Sequence, residues 1–158
     1  MKRIFMLIAV LTFTASFTQA QARDYNTGLG LRGGRFNGLT IKHFIENDTA
    51  FEGIISTRWQ GYNVTGLFEK HKTAFDLPRL NWYYGLGAHI GVWDGDNVKW
   101  ADDKDSYTLI GIDGIIGLEW SISEIPFCIS IDWKPAYNLI GNTSFWGDTG
   151  ALSVRYIF

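Results

Sequence analysis

Three histidines, His43, His71 and His89, are the general bases that this chain offers. A serine nucleophile needs such a base within hydrogen-bond reach and a third group that fixes the base. No serine lies two or four residues from any of the three, so none shares a strand face with a nearby histidine. Ser56 could approach His43 or His71 only across strands, and only in one register. Carboxylates crowd a different stretch, with Asp94, Asp96, Asp102, Asp103 and Asp105 close together. Oxygen ligands suit calcium, but the closing Glu of an EF-hand loop is missing, and an acidic solvated loop accounts for the cluster. The single cysteine, Cys128, excludes an internal disulfide and a paired-cysteine zinc site. Gly28-x-Gly30 and Gly33-Gly34 lack the strand-to-helix setting and the Lys-Ser/Thr ending of a phosphate loop. Asn142-Thr143-Ser144 fits a glycosylation sequon, a common pattern. Lys+Arg 14 against Asp+Glu 16 leaves no basic excess for nucleic acid. These patterns assign no catalytic, cofactor-binding or metal-binding residue.

The elements that must carry these side chains are strands. Period-two alternation recurs along the chain, most clearly from Leu80 to Trp93. Leu80, Trp82, Tyr84, Leu86, Ala88, Ile90 and Val92 form one face; Asn81, Tyr83, Gly85, Gly87, His89, Gly91 and Trp93 form the other. The pattern predicts eight strands, near Tyr25–Gly34, Gly38–Ile45, Ala50–Gln60, Tyr62–Phe75, Leu80–Trp93, Tyr107–Ile122, Phe127–Ile140 and Thr149–Phe158. Asn37-Gly38 is a hairpin signal. Three more turns are expected at residues 46–49, 76–79 and 123–126. Pro135 cannot donate to a ladder, so it marks a bulge or an exit within the seventh strand. In the second strand His43 falls outward with Leu39, Ile41 and Ile45, and Phe44 inward, unless a bulge reverses them. Lys70 and Lys72 fall outward near one end, where they can snorkel.

Residues 1–22 carry the order of a secretory signal peptide: Lys2 and Arg3, an apolar run, then small residues ending in Ala20-Gln21-Ala22. Cleavage after Ala22 or Ala20 would leave residues 23–158 as one domain. No later segment is apolar for long enough to be a membrane helix. Strands of about ten residues do satisfy a tilted transmembrane span, and a closed barrel leaves no unpaired edge in hydrocarbon. Arg32, Lys42, Glu46, Glu52, Arg58, Glu69, Asp113, Glu119, Asp132, Lys134 and Arg155 can all share the face opposite the apolar one. A narrow polar lumen could pair them, with the network centred on Arg32, Glu52, Arg58, Asp113, Glu119, Asp132, Lys134 and Arg155. Asp113, Glu119 and Asp132 are expected to meet Lys134, Arg155 and Arg58. Glycines 85, 87, 91, 111 and 117 make room for long side chains. Aromatics fit an interfacial girdle, with Trp59, Tyr62, Trp93, Tyr107 and Tyr137 at one end, and Trp82, Tyr84, Trp120, Tyr156 and Phe158 at the other. The long connections, residues 94–106 and 141–148, fall at one end. Their aromatics, Trp100, Phe145 and Trp146, are candidates for a binding surface for an extracellular protein or glycan.

Leu152, Val154, Tyr156 and Phe158 alternate to the last residue. This resembles the C-terminal strand signature of bacterial outer-membrane barrels, which has a terminal phenylalanine and an aromatic two places before it. The resemblance implies that Tyr156 and Phe158 are read by the barrel insertion machinery, and that the chain lies among the lipids of a Gram-negative outer membrane. In size and strand rhythm it resembles the small eight-stranded barrels of the OmpX and OmpA transmembrane-domain type, and no motif selects a subfamily. The fold implied is all-β, an eight-stranded antiparallel up-and-down transmembrane β-barrel. The function implied is structural or loop-mediated binding, with no cofactor and no open pore, because eight strands enclose only enough space for side chains. The architecture also admits an outer-membrane lipid-modifying enzyme. The lipid A deacylase type pairs His with Ser and an acidic residue on neighbouring strands, and this chain has no such pair. A narrow channel and a secreted lipocalin-like carrier of an apolar ligand, with the Leu/Ile/Trp face turned inward, complete the alternatives.

Overall fold

The structure is a computed structural model that describes residues 24–58, 61–94, 106–141 and 143–158; for Arg58, Asp94, Ser106 and Tyr107 it describes the backbone alone. The signal segment expected at residues 1–22 lies outside the described residues. Ten strand segments follow one another: β1 Thr27–Gly34, β2 Asn37–Phe44, β3 Thr49–Arg58, β4 Gly61–Thr73, β5 Leu80–Asp94, β6 Ser106–Ser121, β7 Phe127–Trp133, β8 Ala136–Ile140, β9 Phe145–Trp146 and β10 Gly150–Ile157. From β1 to β7 each strand pairs antiparallel with the next, β8 pairs with β6 and β9, and β10 pairs with both β1 and β7. The sheet therefore closes on itself. β7 and β8 are two halves of the seventh stave, and β9 and β10 of the eighth, which makes an eight-stranded up-and-down barrel.

The break in the seventh stave falls at Lys134-Pro135. Pro135 has no N–H to give, and β6 shares its edge between β7 below the break and β8 above it. The barrel is sewn shut where first and last strands meet: Thr27 N–H donates to the Phe158 carbonyl and Phe158 N–H to the Thr27 carbonyl, both at 2.9 Å. The short turns after β2, β4 and β6 lie at the end that holds Asp24 and Phe158. The connections after β1, β3, β5 and β8 lie at the other, the loop end. At the foot of β8, Gly141 adopts φ 94°, and a side chain there would strike Thr108 and Leu109 on β6.

Side chains sort by the pleat. Along β5, Asn81, Tyr83, His89, Gly91 and Trp93 are buried, while Tyr84, Leu86, Ala88, Ile90 and Val92 are exposed. The ladders of β2 with β1 and β3 run without a shift, so no bulge reverses that strand: Phe44 is buried, and Leu39, Ile41 and His43 face out. Three expectations need correction. Glu46 is not interior. β2 ends at Phe44, the chain turns through Ile45 and Glu46 onto the Thr49 carbonyl, and the Glu46 side chain is 70% exposed. Trp93 does not join an outer girdle; it shares the inward parity of His89 and Gly91 and is fully buried. Gly91 and Gly61 lie against its ring, and a methyl group on either would strike it. Nor is Trp146 a loop-surface residue, since it is half-buried and packs inward on Phe36 and Trp93. The remaining girdle candidates with described side chains, Tyr62, Tyr137, Trp82, Tyr84, Trp120, Tyr156 and Phe158, are exposed or half-buried on the outer wall. Trp59 and the Tyr107 side chain lie outside the described residues.

Candidate functional site

Among the described residues, the buried polar chemistry is concentrated inside the barrel, in three tiers. Nearest the loop end, Asp113 on β6 holds two partners. Lys134 Nζ donates to Oδ1, and His89 Nδ1 on β5 lies 2.7 Å from Oδ2. His89 Nε2 meets Asn138 Oδ1 at 2.8 Å, and Asn138 Nδ2 donates to Ser144 Oγ at 3.0 Å. Trp146 stacks over the His89 ring, and with Phe36, Trp93 and Leu109 it forms an apolar cluster at this tier.

The second tier is Arg32 on β1 with Asp132 on β7. Two guanidinium nitrogens face the two carboxylate oxygens, one contact being 2.7 Å, and Tyr83 Oη donates to Oδ2 at 3.0 Å. Tyr83 reaches across because Gly117 leaves the wall bare: a methyl there would come within 2.7 Å of the Tyr83 ring.

The third tier holds Lys42, Arg155, Glu52, Glu69 and Glu119, all with fully buried side chains. Lys42 Nζ lies 2.9 Å from Glu69, 3.2 Å from Glu119 and 3.4 Å from Glu52, and 4.0 Å above the Tyr83 ring. Arg155 spans Glu52 at 2.5 Å, Glu119 at 3.3 Å and Ser130 at 2.8 Å. Beneath it, Tyr25 donates to Glu119 Oε1 at 2.7 Å and packs edge-on to Phe44, which meets His71, which stacks on Tyr83.

Among the residues singled out from sequence, the structure thus brings together Asp113 with Lys134, Glu119 and Glu52 with Arg155, and Asp132 with Arg32. The Arg58 side chain and Trp100 lie outside the described residues, as do residues 95–105, which hold most of the acidic cluster. Phe145 is exposed at the loop end. Lys42 and Glu69 occupy the centre of the third tier; their strand parity placed them on the charged face, but not at its heart. Tyr25 escapes the sequence reading because a strand begun there gives it the outward parity of Leu29 and Leu31, whereas β1 starts only at Thr27 and Tyr25 turns inward.

No hydrolytic triad assembles at the described histidines. His89 has an acidic orienter in Asp113, but its other nitrogen meets the Asn138 amide, which is no nucleophile. His71 meets Glu69 at 3.2 Å and no serine. His43 lies on the outer wall against Thr27 at 2.8 Å. Ser56 pairs with Gly38 and Asn63, far along the ladders from His43 and His71, so the register that would join them is not formed.

Outside the barrel wall, two acids in the turn end differ. Lys70 Nζ donates to Asp48 at 3.0 Å and holds its carboxyl below the ordinary range, whereas burial pushes Asp24 up against the pull of Arg79. Asp24 lines an open groove of about 520 Å³ with Tyr25, Arg79, Glu124, Pro126 and Phe158. No family model matches the sequence, and no curated protein resembles it closely enough to count as a relative.

Proposed function

We propose that this chain is an integral outer-membrane β-barrel of a Gram-negative bacterium, filled by its own side chains rather than open as a pore, with a structural or loop-mediated binding role. One observation carries the reading: the distribution of side chains is inverted relative to a water-soluble barrel. Leu31, Ile41, Ile55, Leu86, Ile112, Ile131 and Leu152 are each at least half exposed, on seven of the eight staves. The interior, where a soluble barrel keeps its aliphatic residues, holds Arg32, Lys42, Arg155 and their carboxylates. A surface of that extent calls for an apolar solvent. Aromatic side chains toward both ends of the wall suit the two interfaces. Lipids would contact the wall, Tyr156 and Phe158 would serve the insertion machinery, and Phe145 with the loop end would meet an external protein or glycan. A lipocalin-like carrier needs the aliphatic face inside, and the outward face of Leu86 and its neighbours counts against it.

Expression with the native leader, followed by fractionation and electrophoresis of boiled and unboiled samples, tests the reading. A band in the outer-membrane fraction that changes mobility on boiling supports it. A soluble protein with a single mobility would overturn it.

A further inference from the structure

The third tier of the interior contains an imbalance. Glu52, Glu69 and Glu119 supply three carboxylates, and Lys42 and Arg155 supply two cations, all with side chains shut off from solvent. Among the described residues the neighbouring tiers do not correct it where it arises: Arg32 is matched by Asp132 and Lys134 by Asp113, and His89 meets Asp113 and Asn138 rather than any carboxylate of the third tier. The remaining described groups that face the cluster from the surrounding strands, His71, Tyr83, Tyr25 and the Cys128 thiol opposite Arg155, bring no fixed charge. An uncompensated charge in such a place is strongly unfavourable.

The hydrogen bonds show where the compensation belongs. Both oxygens of Glu119 are occupied, Oε1 by Tyr25 and Oε2 by Lys42 and Arg155. Glu52 Oε1 takes Thr40 and Arg155, and Glu69 Oε2 takes Lys42 and His71. Two oxygens are left without a hydrogen bond, Glu69 Oε1 and Glu52 Oε2, the latter in ion-pair contact with Lys42 Nζ at 3.4 Å. They belong to diagonal neighbours on β3 and β4, whose carboxyl groups converge on the same Lys42 ammonium, at 3.4 and 2.9 Å.

We propose that Glu52 and Glu69 form a proton-binding pair, one proton being held between their two free oxygens at neutral pH. One proton then satisfies both oxygens and brings the tier to neutrality. The competing seat is His71. An imidazolium there would also balance the charge, but its Nδ1, which has no partner, would become a buried N–H donor with nothing to accept it. The carboxyl pair leaves no such donor. The inference does not depend on what surrounds the outer wall.

Infrared spectroscopy of the full chain, closed in detergent at neutral pH, reads the proton through the carbonyl stretch of a protonated carboxyl group and its shift in deuterated water. The expected result is one such band in the wild type, absent in both Glu69→Gln and Glu52→Gln, each of which leaves two carboxylates for two cations. His71→Asn should keep the band. The heat-dependent gel shift reports whether each variant closes, and the wild-type spectrum decides by itself where one does not. A closed wild-type barrel with no protonated carboxyl, or a band that survives in both glutamine variants, overturns the proposal; an imidazolium signal from His71 would do so as well.

Discussion

Arg32 on β1 and Asp132 on β7 face each other edge to edge across the intervening strand β10, with both side chains closed off from solvent. The pair ties together strands that share no ladder, and Tyr83 adds a third point of attachment from β5. Removing one member leaves the other charged, buried and alone. Asp132→Ala should therefore cost about 3–5 kcal/mol. Arg32→Met/Asp132→Leu should cost much less than the sum of the two single changes, since both charges leave together. Denaturant titration of the closed form in detergent measures all three.

The outer wall gives a depth-dependent prediction. Leu86 lies midway along β5 and is 75% exposed, whereas Tyr62 sits at the loop end of β4. If the wall meets lipid, Leu86→Arg should cost roughly 2–4 kcal/mol and Tyr62→Arg about 0–1 kcal/mol. On a water-exposed wall both would fall within about 0.5 kcal/mol of the wild type. Folding titrations in lipid vesicles distinguish these outcomes.

The staves were legible because the pleat repeats every two residues and the barrel buries one face of each. The parity of Leu80 to Trp93 correctly predicted which side chains point inward, and Pro135 announced the break in the seventh stave through its missing N–H. What parity cannot supply is partnership across the lumen. Glu119 meets Tyr25 across 94 positions of sequence because the barrel closes, and that depends on the register of all eight staves together. Glu46 was misplaced for a related reason: alternation continues past Phe44, while the chain has already turned. Trp146 was read as a loop residue by its setting among polar neighbours. Its inward turn brings it against Phe36, between β1 and β2, and Trp93 at the end of β5, both remote in sequence and adjacent only after closure.

The contact of Asp48 with Lys70 at the turn end makes a pH prediction. The carboxyl is held below its ordinary value, so the folded state favours the ionised form more than the unfolded chain does. Its stabilising contribution is present above the ordinary carboxylate range and is lost as the pH falls through the depressed value. Asp48→Asn should lower the midpoint of heat modification slightly near neutrality, because the pair is largely exposed and screened. It should leave the midpoint unchanged in strong acid. Equal effects at both pH values would contradict the assignment.

The contacts that strap down the segment around Trp146 include its ring against Phe36 and Trp93, its ladder with β8, Trp133 Nε1–H to the Gly147 carbonyl at 2.6 Å, and Arg35 to Asp148 at 2.7 Å. The ring supplies the buried part. Trp146→Ala should leave the barrel closed, because β7, β8 and β10 keep their ladders, but should speed proteolytic cleavage between residues 141 and 149 several-fold. Timed digestion of the closed form, read by mass spectrometry, locates the cut. An unchanged cleavage rate would mean that the hydrogen bond and the ion pair hold the segment without the ring.

Lys42 supplies the last test, through coupling. It is the cation that all three glutamates of the third tier share, and among the described residues no other cation contacts all three. Lys42→Met keeps the length and packing of the stem but leaves Arg155 to face the acids alone. The cost should be about 3–5 kcal/mol, as for other broken buried ion groups. If the excess carboxyl is what makes the loss severe, Glu69→Gln in the Lys42→Met background should recover a substantial part of it, a coupling of about 0.5–3 kcal/mol. The same Glu69→Gln change in the wild-type background should be close to neutral, because Lys42 and Arg155 then face two carboxylates. Independent, additive costs in denaturant titrations would show that Lys42 acts through packing on Tyr83 rather than through the charge it sets among the glutamates.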